Sequence, residues 1–347
     1  MHKLTEIDEM IGIVTIKKLQ RKAIILITCT LGFITVLSIC DYFTWLHSNK
    51  KKNLTPRVDR GPLNYTPIYF MYFVITVFDI QYALASFHIG ERFARMNQII
   101  ERFLKSYKIS DYFKRDLGLV GEFKHQRQMA SIMASDTRSL PGRETKVFDW
   151  LVAGNDNKSI ADGVSLLITL HGNLCQSTLL LNTGFGIPLL FNILSCLLHL
   201  IITPYFVYIE VHDEHCSYRV ITMQILWIVF HMMGLLVTVQ PCYWSCVQAK
   251  ETGVIISELL TLKWDIEIRK QLEIFSLQML HRPLEFSACG LFIMDRTLVT
   301  SIAGAVTTYL VILIQFQSGD DDDNQNVALK NATDILKTLT ADVLKNS

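Results

Sequence analysis

The sequence predicts an all-α protein that crosses a membrane several times. Half of its 347 residues are hydrophobic and 19% are charged, and the mean hydropathy is +0.29. Such a balance is unusual for a soluble domain and ordinary for a multispan membrane protein. Five long apolar stretches match the bilayer thickness as helices and supply the predicted spans. The net charge of +1 gives no indication of a nucleic-acid partner.

The apolar stretches and the polar segments between them divide the chain into alternating parts. Lys and Arg cluster before the first span, after the second and after the fourth, and such cationic segments stay in the cytosol. We therefore predict a multi-pass plasma-membrane protein with a cytosolic N-terminus and an extracellular C-terminus. The parts are a cytosolic N-terminus (1–22), a span (23–46), an extracellular loop (47–65), a span (66–88), a cytosolic helical region (89–186), a span (187–208), an extracellular loop (209–219), a span (220–247), a cytosolic helix (248–283), a broken last span (284–316) and an extracellular acidic tail (317–347).

Two N-glycosylation sequons agree with this orientation. Asn53 opens the sequence NLT in the first predicted extracellular loop, and Asn331 opens the sequence NAT in the tail. Glycosylation requires an external loop, so both residues are candidate glycosylation sites. Cationic residues in and beside the same first loop oppose the orientation: Lys50, Lys51, Lys52, Arg57 and Arg60.

The helical spacing of apolar residues continues after the second span and begins again before the third span. The segment between them, 135–157, is predicted to be a loop. The spacing follows the second span through Met96, Ile99, Ile100, Phe103 and Leu104, and it precedes the third span through Val164, Leu167, Leu170 and Leu174. Apolar residues three and four apart form one face of a helix. We therefore expect two long helices to leave the membrane and pack in the cytosol, with one further helix over 263–281.

The last span carries a stripe of small and polar residues. The element begins near Leu284, is interrupted at Asp295-Arg296, and continues without a charge to Phe316. On a helix the stripe shares one face, which suits either a water-filled path or close packing against another membrane helix. Its members are Ser301, Ala305, Thr308, Ile312 and Gln315.

The end of this span contains a short motif. Thr308-Tyr309 is followed by five apolar residues and then by Gln315-Phe316. The motif, and the longer string FSACGLFIMDRTLVTSIAGAVTTYLVILIQF from Phe286 to Phe316, resembles the C-terminal signature of the insect gustatory receptors, which are related to the insect odorant receptors. The resemblance implies that the last helices of four subunits line one cation pore, with Gln315 and Phe316 at its gate. It also implies that the cytosolic helices form an anchor domain where the subunits meet.

This family normally has seven spans, whereas the sequence offers five. Matched backward from the motif, the first span here resembles the family's third, so the family's first two helices have no counterpart. The resemblance then implies that the pore helix and the cytosolic contacts are kept, whereas the outer vestibule lacks one wall.

Polar and aromatic residues within the spans are the candidates for binding a ligand. Aromatic walls with a few hydrogen-bonding groups suit a small neutral molecule, although Trp and Tyr also form belts at membrane interfaces. A belt needs neither a Gln nor a His, so the cluster in the fourth span is the strongest group. A carboxylate at Asp79 is costly inside a membrane, and we expect it to have a partner or water. The candidates are Trp45, Tyr69, Tyr205, Gln224, Trp227 and His231.

The resemblance therefore predicts a subunit of a ligand-gated, non-selective cation channel opened by a small tastant, either a sugar or a bitter compound. Its expected partners are membrane lipid and like subunits in a tetramer, possible heteromers included. Two alternatives stay open: a non-conducting truncated subunit that modulates full-length receptors, and a G-protein-coupled type of chemoreceptor. We find no nucleotide loop, catalytic triad or zinc motif, so we expect no enzyme, metal site or cofactor.

Overall fold

The computed structural model describes residues 16–51, 66–116, 157–212 and 217–316. In these ranges the chain forms helices and one small hairpin. Five of the helices, all except α5, are long and apolar enough to cross a membrane, so the predicted number of spans is confirmed for the described residues. The elements are α1 (Ile16–Lys51), α2 (Thr66–Asp116), α3 (Asn157–His212), α4 (Tyr218–Leu260), α5 (Ile266–His281), β1 (Ser287–Ala288), β2 (Phe292–Ile293) and α6 (Arg296–Phe316).

Helices α2 and α3 are much longer than a membrane span. Helix α2 has 51 residues, and at a rise of 1.5 Å per residue it is about 77 Å long. The hydrocarbon layer takes up only about 30 Å of this length. The predicted continuation of both spans as long helices is therefore confirmed in the described residues, while the side of the membrane on which they emerge stays a prediction.

The emerging parts of α2, α3 and α4 pack with α5 around an apolar core. Phe93, Met96 and Ile100 of α2 are fully buried, as are Leu174 of α3 and Phe275 of α5. The core closes at the far end with the rings of Tyr107 and Trp264, whose centroids are 4.1 Å apart. The helix predicted over 263–281 is observed as α5, while its cytosolic location stays a prediction. Asp265 caps the helix by accepting a hydrogen bond from the Ile266 N–H at 2.9 Å.

Small residues bring α2 and α4 into close contact. The Ser245 hydroxyl donates to the Ser86 carbonyl at 2.7 Å, and the Asn97 amide donates to the Gln248 carbonyl at 2.8 Å. The Thr252 hydroxyl donates back to the Asn97 side-chain oxygen at 2.6 Å. Interhelical hydrogen bonds of this kind fix the register between membrane helices. We call this contact the α2–α4 seam.

The segment from Leu284 to Asp295 corrects one prediction. We expected the first half of a broken helix, but the chain forms the antiparallel hairpin β1–β2, in which Ser287 pairs with Ile293. Burial alternates along the chain at Leu284, Phe286 and Ala288, which is the two-residue period of a strand rather than that of a helix. The break at Asp295 was placed correctly, and the continuous helix α6 begins at Arg296.

Other predictions fall on residues that the structure does not describe. The predicted loop 135–157 lies outside the described ranges except for Asn157, which begins α3. The acidic tail 317–347 and the glycosylation candidates Asn53 and Asn331 also lie outside them. The first helix extends past the limits of its predicted span, 23–46: α1 begins at Ile16 and ends at Lys51.

Replacing Gly90 with Ala should destabilise the α2–α4 seam. A Cβ atom at this position would lie 2.4 Å from the Ser245 hydroxyl oxygen and 2.5 Å from the Trp244 ring. Neither neighbour is free to move, because Trp244 stacks on Phe87 at 5.0 Å and the Ser245 hydroxyl is hydrogen-bonded. We expect a loss of about 1–3 kcal/mol, as for overpacked cores, measured as a lower Tm in detergent.

Gly234→Ala is the matched control, because a Cβ there meets nothing within 4 Å. Its Tm should stay at or above that of the wild-type protein, since Ala is the better helix former. Equal Tm values for the two variants would contradict the close approach at Gly90.

Asp295 should control the stability of the start of α6. Its carboxylate accepts hydrogen bonds from the Thr297 hydroxyl at 2.5 Å and from the N–H groups of Thr297 and Leu298 at 2.8 and 3.2 Å. These bonds hold the pKa of Asp295 below its usual value, and the bond from the Thr297 hydroxyl has the largest effect. A carboxylate whose pKa is lower in the folded state than in the unfolded state stabilises the fold at pH values above its unfolded-state pKa. This contribution is lost as the pH falls through the folded-state pKa.

Asp295→Ala should therefore cost about 1 kcal/mol at neutral pH, the usual cost of losing an N-cap, and less in acid. Hydrogen exchange of the backbone amides in the first turn of α6 measures the effect. Asp295→Asn keeps an acceptor oxygen and should lose less protection, without the acid dependence. Unchanged exchange in the Ala variant would rule out the cap.

Candidate functional site

A cavity of about 490 Å³ lies between α1, α2, α3 and α4. Its walls come from near the middle of the spans, including Phe33 of α1, Ile80 of α2, Cys196 of α3 and Gly234 of α4. We call it the central cavity. A concave, mostly apolar cavity with a few polar groups has the general character of a small-molecule site.

The polar wall of the central cavity joins α2, α3 and α4. The Asn192 amide donates to the Asp79 carboxylate at 2.8 Å, which provides the partner expected for this membrane carboxylate. The Cys196 thiol lies 3.7 Å from the Asn192 side-chain oxygen and 3.9 Å from Nδ1 of His231. Nε2 of His231 is buried and has no hydrogen-bond partner among the described residues.

An aromatic cluster adjoins the central cavity and includes two of its lining residues, Tyr72 and His231. The Tyr72 ring is 5.1 Å from that of Trp227 and 5.8 Å from that of His231. Nδ1 of His199 lies 2.8 Å from the Ser195 carbonyl, which only accepts, so Nδ1 carries the proton. Nε2 of His199 is then the acceptor for the Tyr72 hydroxyl. This network holds Tyr72 across the gap between α2 and α3.

The structure brings some of the predicted binding residues together and separates others. His231 lines the central cavity, and Trp227 stacks beside it at 6.0 Å. Tyr69 packs on the cluster of Leu37, Met223 and Trp227 and donates to the Asp41 carboxylate at 2.5 Å. Gln224 is half-buried on α4.

Two other candidates are placed differently. Tyr205 is half-buried and packs beside Phe206 with ring centroids 6.2 Å apart, and it is not among the residues that line the central cavity in the described part of the chain. Trp45 belongs to α1, but its side chain lies outside the described part of the chain.

Sequence reasoning did not include Asn192, Cys196 and His199 of α3 in the site. The usable signal was their polarity in an otherwise apolar span, which is a recognised mark of a functional position. Their pairing with Asp79, His231 and Tyr72 depends on how α3 rotates against α2 and α4. That rotation is a property of the packed bundle and has no local sequence pattern.

The predicted stripe on α6 lies off the face that contacts the rest of the chain. Helix α6 packs through Leu298 and Ile302, which are buried, and through Val299 and Val306. The stripe residues Ser301, Thr308, Ile312 and Gln315 are exposed, Ala305 is half-buried, and Phe316 is 71% exposed. The motif residue Tyr309 is also exposed.

The polar groups of the stripe are held by their own helix. The Ser301 hydroxyl donates to the Thr297 carbonyl and the Thr308 hydroxyl donates to the Gly304 carbonyl, each at 2.9 Å. The arrangement can offer oxygen atoms to hydrated cations, whereas nothing in it supplies a nucleophile with an adjacent base.

The sequence matches a known family over almost its whole length. A family model described as 7tm chemosensory receptor covers residues 2–319. The gustatory receptor for sugar taste 43a of Drosophila melanogaster is 31% identical over 293 residues, which are 82% of this chain and 66% of that receptor. The putative gustatory receptor 28b of the same species is 27% identical over 172 residues, which are 48% of this chain and 37% of that protein. The chain therefore spans just under two thirds of the first relative's length.

The fold is similar to that of an insect olfactory receptor from Machilis hrabei. The TM-score is 0.53 at 12% sequence identity, and the likeness covers 86% of this chain and 68% of that one. At this identity the likeness concerns only the fold, which is that of a helical membrane protein. Membership of the family rests on the family model. The chain therefore belongs to the 7tm chemosensory receptor family, in which its relatives are gustatory receptors.

Proposed function

We propose that this chain is a subunit of a tetrameric, ligand-gated, non-selective cation channel for taste, located in the plasma membrane with its N-terminus in the cytosol. The observation that carries the proposal is the exposure of the polar stripe on α6. The Ser301 and Thr308 hydroxyls are satisfied by their own helix, but together with the exposed Gln315 amide they make this face better suited to water or another subunit than to lipid. Four like subunits around a central axis provide both.

The gate of this channel is formed by Gln315 and Phe316. Both are exposed at the end of α6, so in a tetramer their side chains can meet copies of themselves near the axis. Four Phe rings exclude water, and an apolar constriction stops ions by dewetting. When the α6 helices move apart, the amide of Gln315 remains to offer oxygen to the passing cation.

The ligand is a small tastant that binds in the central cavity and against the aromatic cluster beside it. A relative is a receptor for sugar taste, and a sugar offers both the hydroxyls and the apolar ring face that this wall accommodates. A bitter compound with one hydrogen-bonding group fits the same wall. Binding opens the pore only by favouring the open state over the closed one.

Gln315→Ala and Phe316→Ala should change gating or conduction without reducing surface expression. Loss of the apolar ring should raise the current in the absence of ligand, because the closed constriction is weakened. Loss of the Gln amide should lower the single-channel conductance. Patch-clamp recording with surface labelling measures both quantities.

Val311→Ala is the control for the gate variants, because Val311 is also exposed near the end of α6 but lies outside the stripe. Its currents should match those of the wild-type protein. If both gate variants conduct and gate normally, Gln315 and Phe316 do not form the gate.

His231→Phe should lower sensitivity to the ligand by roughly 5- to 150-fold, because a lost hydrogen bond in a buried site costs about 1–3 kcal/mol. The ring is replaced by one of similar shape, so packing against Trp227 and Tyr72 is kept. The half-activating ligand concentration measures the effect, and the maximal current should be preserved.

Tyr205→Phe is the matched control, because Tyr205 lies away from the central cavity, and its half-activating concentration should not change. A normal response in His231→Phe would place the ligand elsewhere in the bundle. Absence of any ligand-evoked current, with the protein at the surface and like subunits present, would contradict the channel itself.

A further inference from the structure

A second cavity lies between α1, α2 and α4, near the start of α1. Its volume is about 410 Å³, and its walls are almost wholly apolar, including Ala23, Leu26, Phe87 and Leu236. It shares Leu26 and Val237 with the central cavity but extends toward the other end of the bundle. We call it the inner cavity.

The inner cavity has a structural cause. Pro241 lies inside α4 and lines the cavity. A proline has no N–H for the hydrogen bond to the carbonyl one turn earlier, and its ring pushes that turn away. Ala23 and Ala83, opposite on α1 and α2, leave further space because their side chains are small. The space is therefore built into three helices.

The sequence has four cationic residues in the first turns of α1, just before the lining residue Ala23. They are Lys17, Lys18, Arg21 and Lys22, and Arg21 is exposed. A short cationic run beside the end of a membrane span is attracted to anionic lipid head groups.

A second cation approaches the same cavity from α6. The Arg296 guanidinium donates to the side-chain oxygen of Gln240, a lining residue, at 3.4 Å, and it lies 4.1 Å from the centre of the Tyr243 ring. Two carboxylates are close in sequence to residues of this region. Glu91 follows the lining residue His88 by about one helical turn on α2. Asp295 precedes Arg296 and caps α6.

We propose that the inner cavity binds one acyl chain of an anionic phospholipid, whose head group lies among the cations at the start of α1. The apolar walls match a hydrocarbon chain, and the cationic end matches a phosphate. In the proposed orientation this lipid belongs to the cytosolic leaflet, which is the anionic one. The site is separate from the one proposed for the tastant and does not depend on channel activity.

Native mass spectrometry of the purified full chain tests the proposal. The protein is titrated in detergent with phosphatidylserine or with phosphatidylcholine of the same acyl chains, and the bound lipids are counted. The wild-type protein should bind phosphatidylserine more tightly than phosphatidylcholine. Ala23→Phe fills the cavity from α1 and should reduce the binding of both lipids, with the bound fraction falling several-fold.

Arg21→Gln combined with Lys22→Gln should remove most of the preference for phosphatidylserine, on the order of tenfold in affinity for two surface cations. Phosphatidylcholine binding should persist in this variant. Lys263→Gln combined with Lys270→Gln is the matched control, because it removes two exposed cations near α5, and it should bind both lipids as the wild-type protein does.

Leu236→Trp fills the cavity from the exposed rim of α4 and replaces the first variant if Ala23→Phe does not fold. Three results would each overturn the proposal. The first is that the filled variants bind as many lipids as the wild-type protein. The second is that the wild-type protein binds the two lipids with equal affinity. The third is that the Lys263 and Lys270 control loses as much phosphatidylserine binding as the Arg21 and Lys22 variant.

Discussion

The close approach of α2 to α4 at Gly90 is the constraint on which the rest of the structure depends. A hydrogen in place of a side chain lets Trp244 and Ser245 lie directly against α2. The distance set there allows the Ser245–Ser86 hydrogen bond and, two turns further, the bonds between Asn97 and α4. Membrane helices lack a hydrophobic force between them, so close packing and interhelical hydrogen bonds must supply their attraction. The seam therefore fixes the frame on which α3, α5 and α6 assemble.

The hairpin β1–β2 connects this frame to the helix that carries the family motif. The Asn182 side chain of α3 donates to the Glu285 carbonyl at 2.8 Å and accepts from the Ser287 N–H at 3.2 Å. The Cys246 thiol of α4 donates to the Leu284 carbonyl at 3.2 Å. These contacts tie the chain that precedes Asp295 and the first turn of α6 to two long helices.

The polar groups inside the bundle are arranged as paired contacts rather than as isolated charges. Asp79 meets Asn192, Asp41 meets Tyr69, and Tyr72 meets His199. Each pair joins two different helices, so each reduces the cost of burial and aligns its helices at once. His231 is the exception at its Nε2 atom, which is buried without a partner among the described residues and belongs to a residue of the central cavity wall.

The sequence by itself determined the number of spans, the long helices that leave the membrane and the position where the last element is interrupted. These features follow from local composition and periodicity, because apolar runs of sufficient length must become helices in a bilayer. It also singled out His231, Trp227 and Tyr69 as polar or aromatic residues within the spans, and their role in binding stays a prediction. Only the tertiary structure decided that Leu284–Asp295 forms a hairpin, since the interactions of Asn182 and the burial of Phe286 come from distant parts of the chain. The same holds for the pairing of Asp79 with Asn192, 113 residues apart, and for the face that α6 presents to its own bundle, because both depend on the rotation of packed helices about their axes.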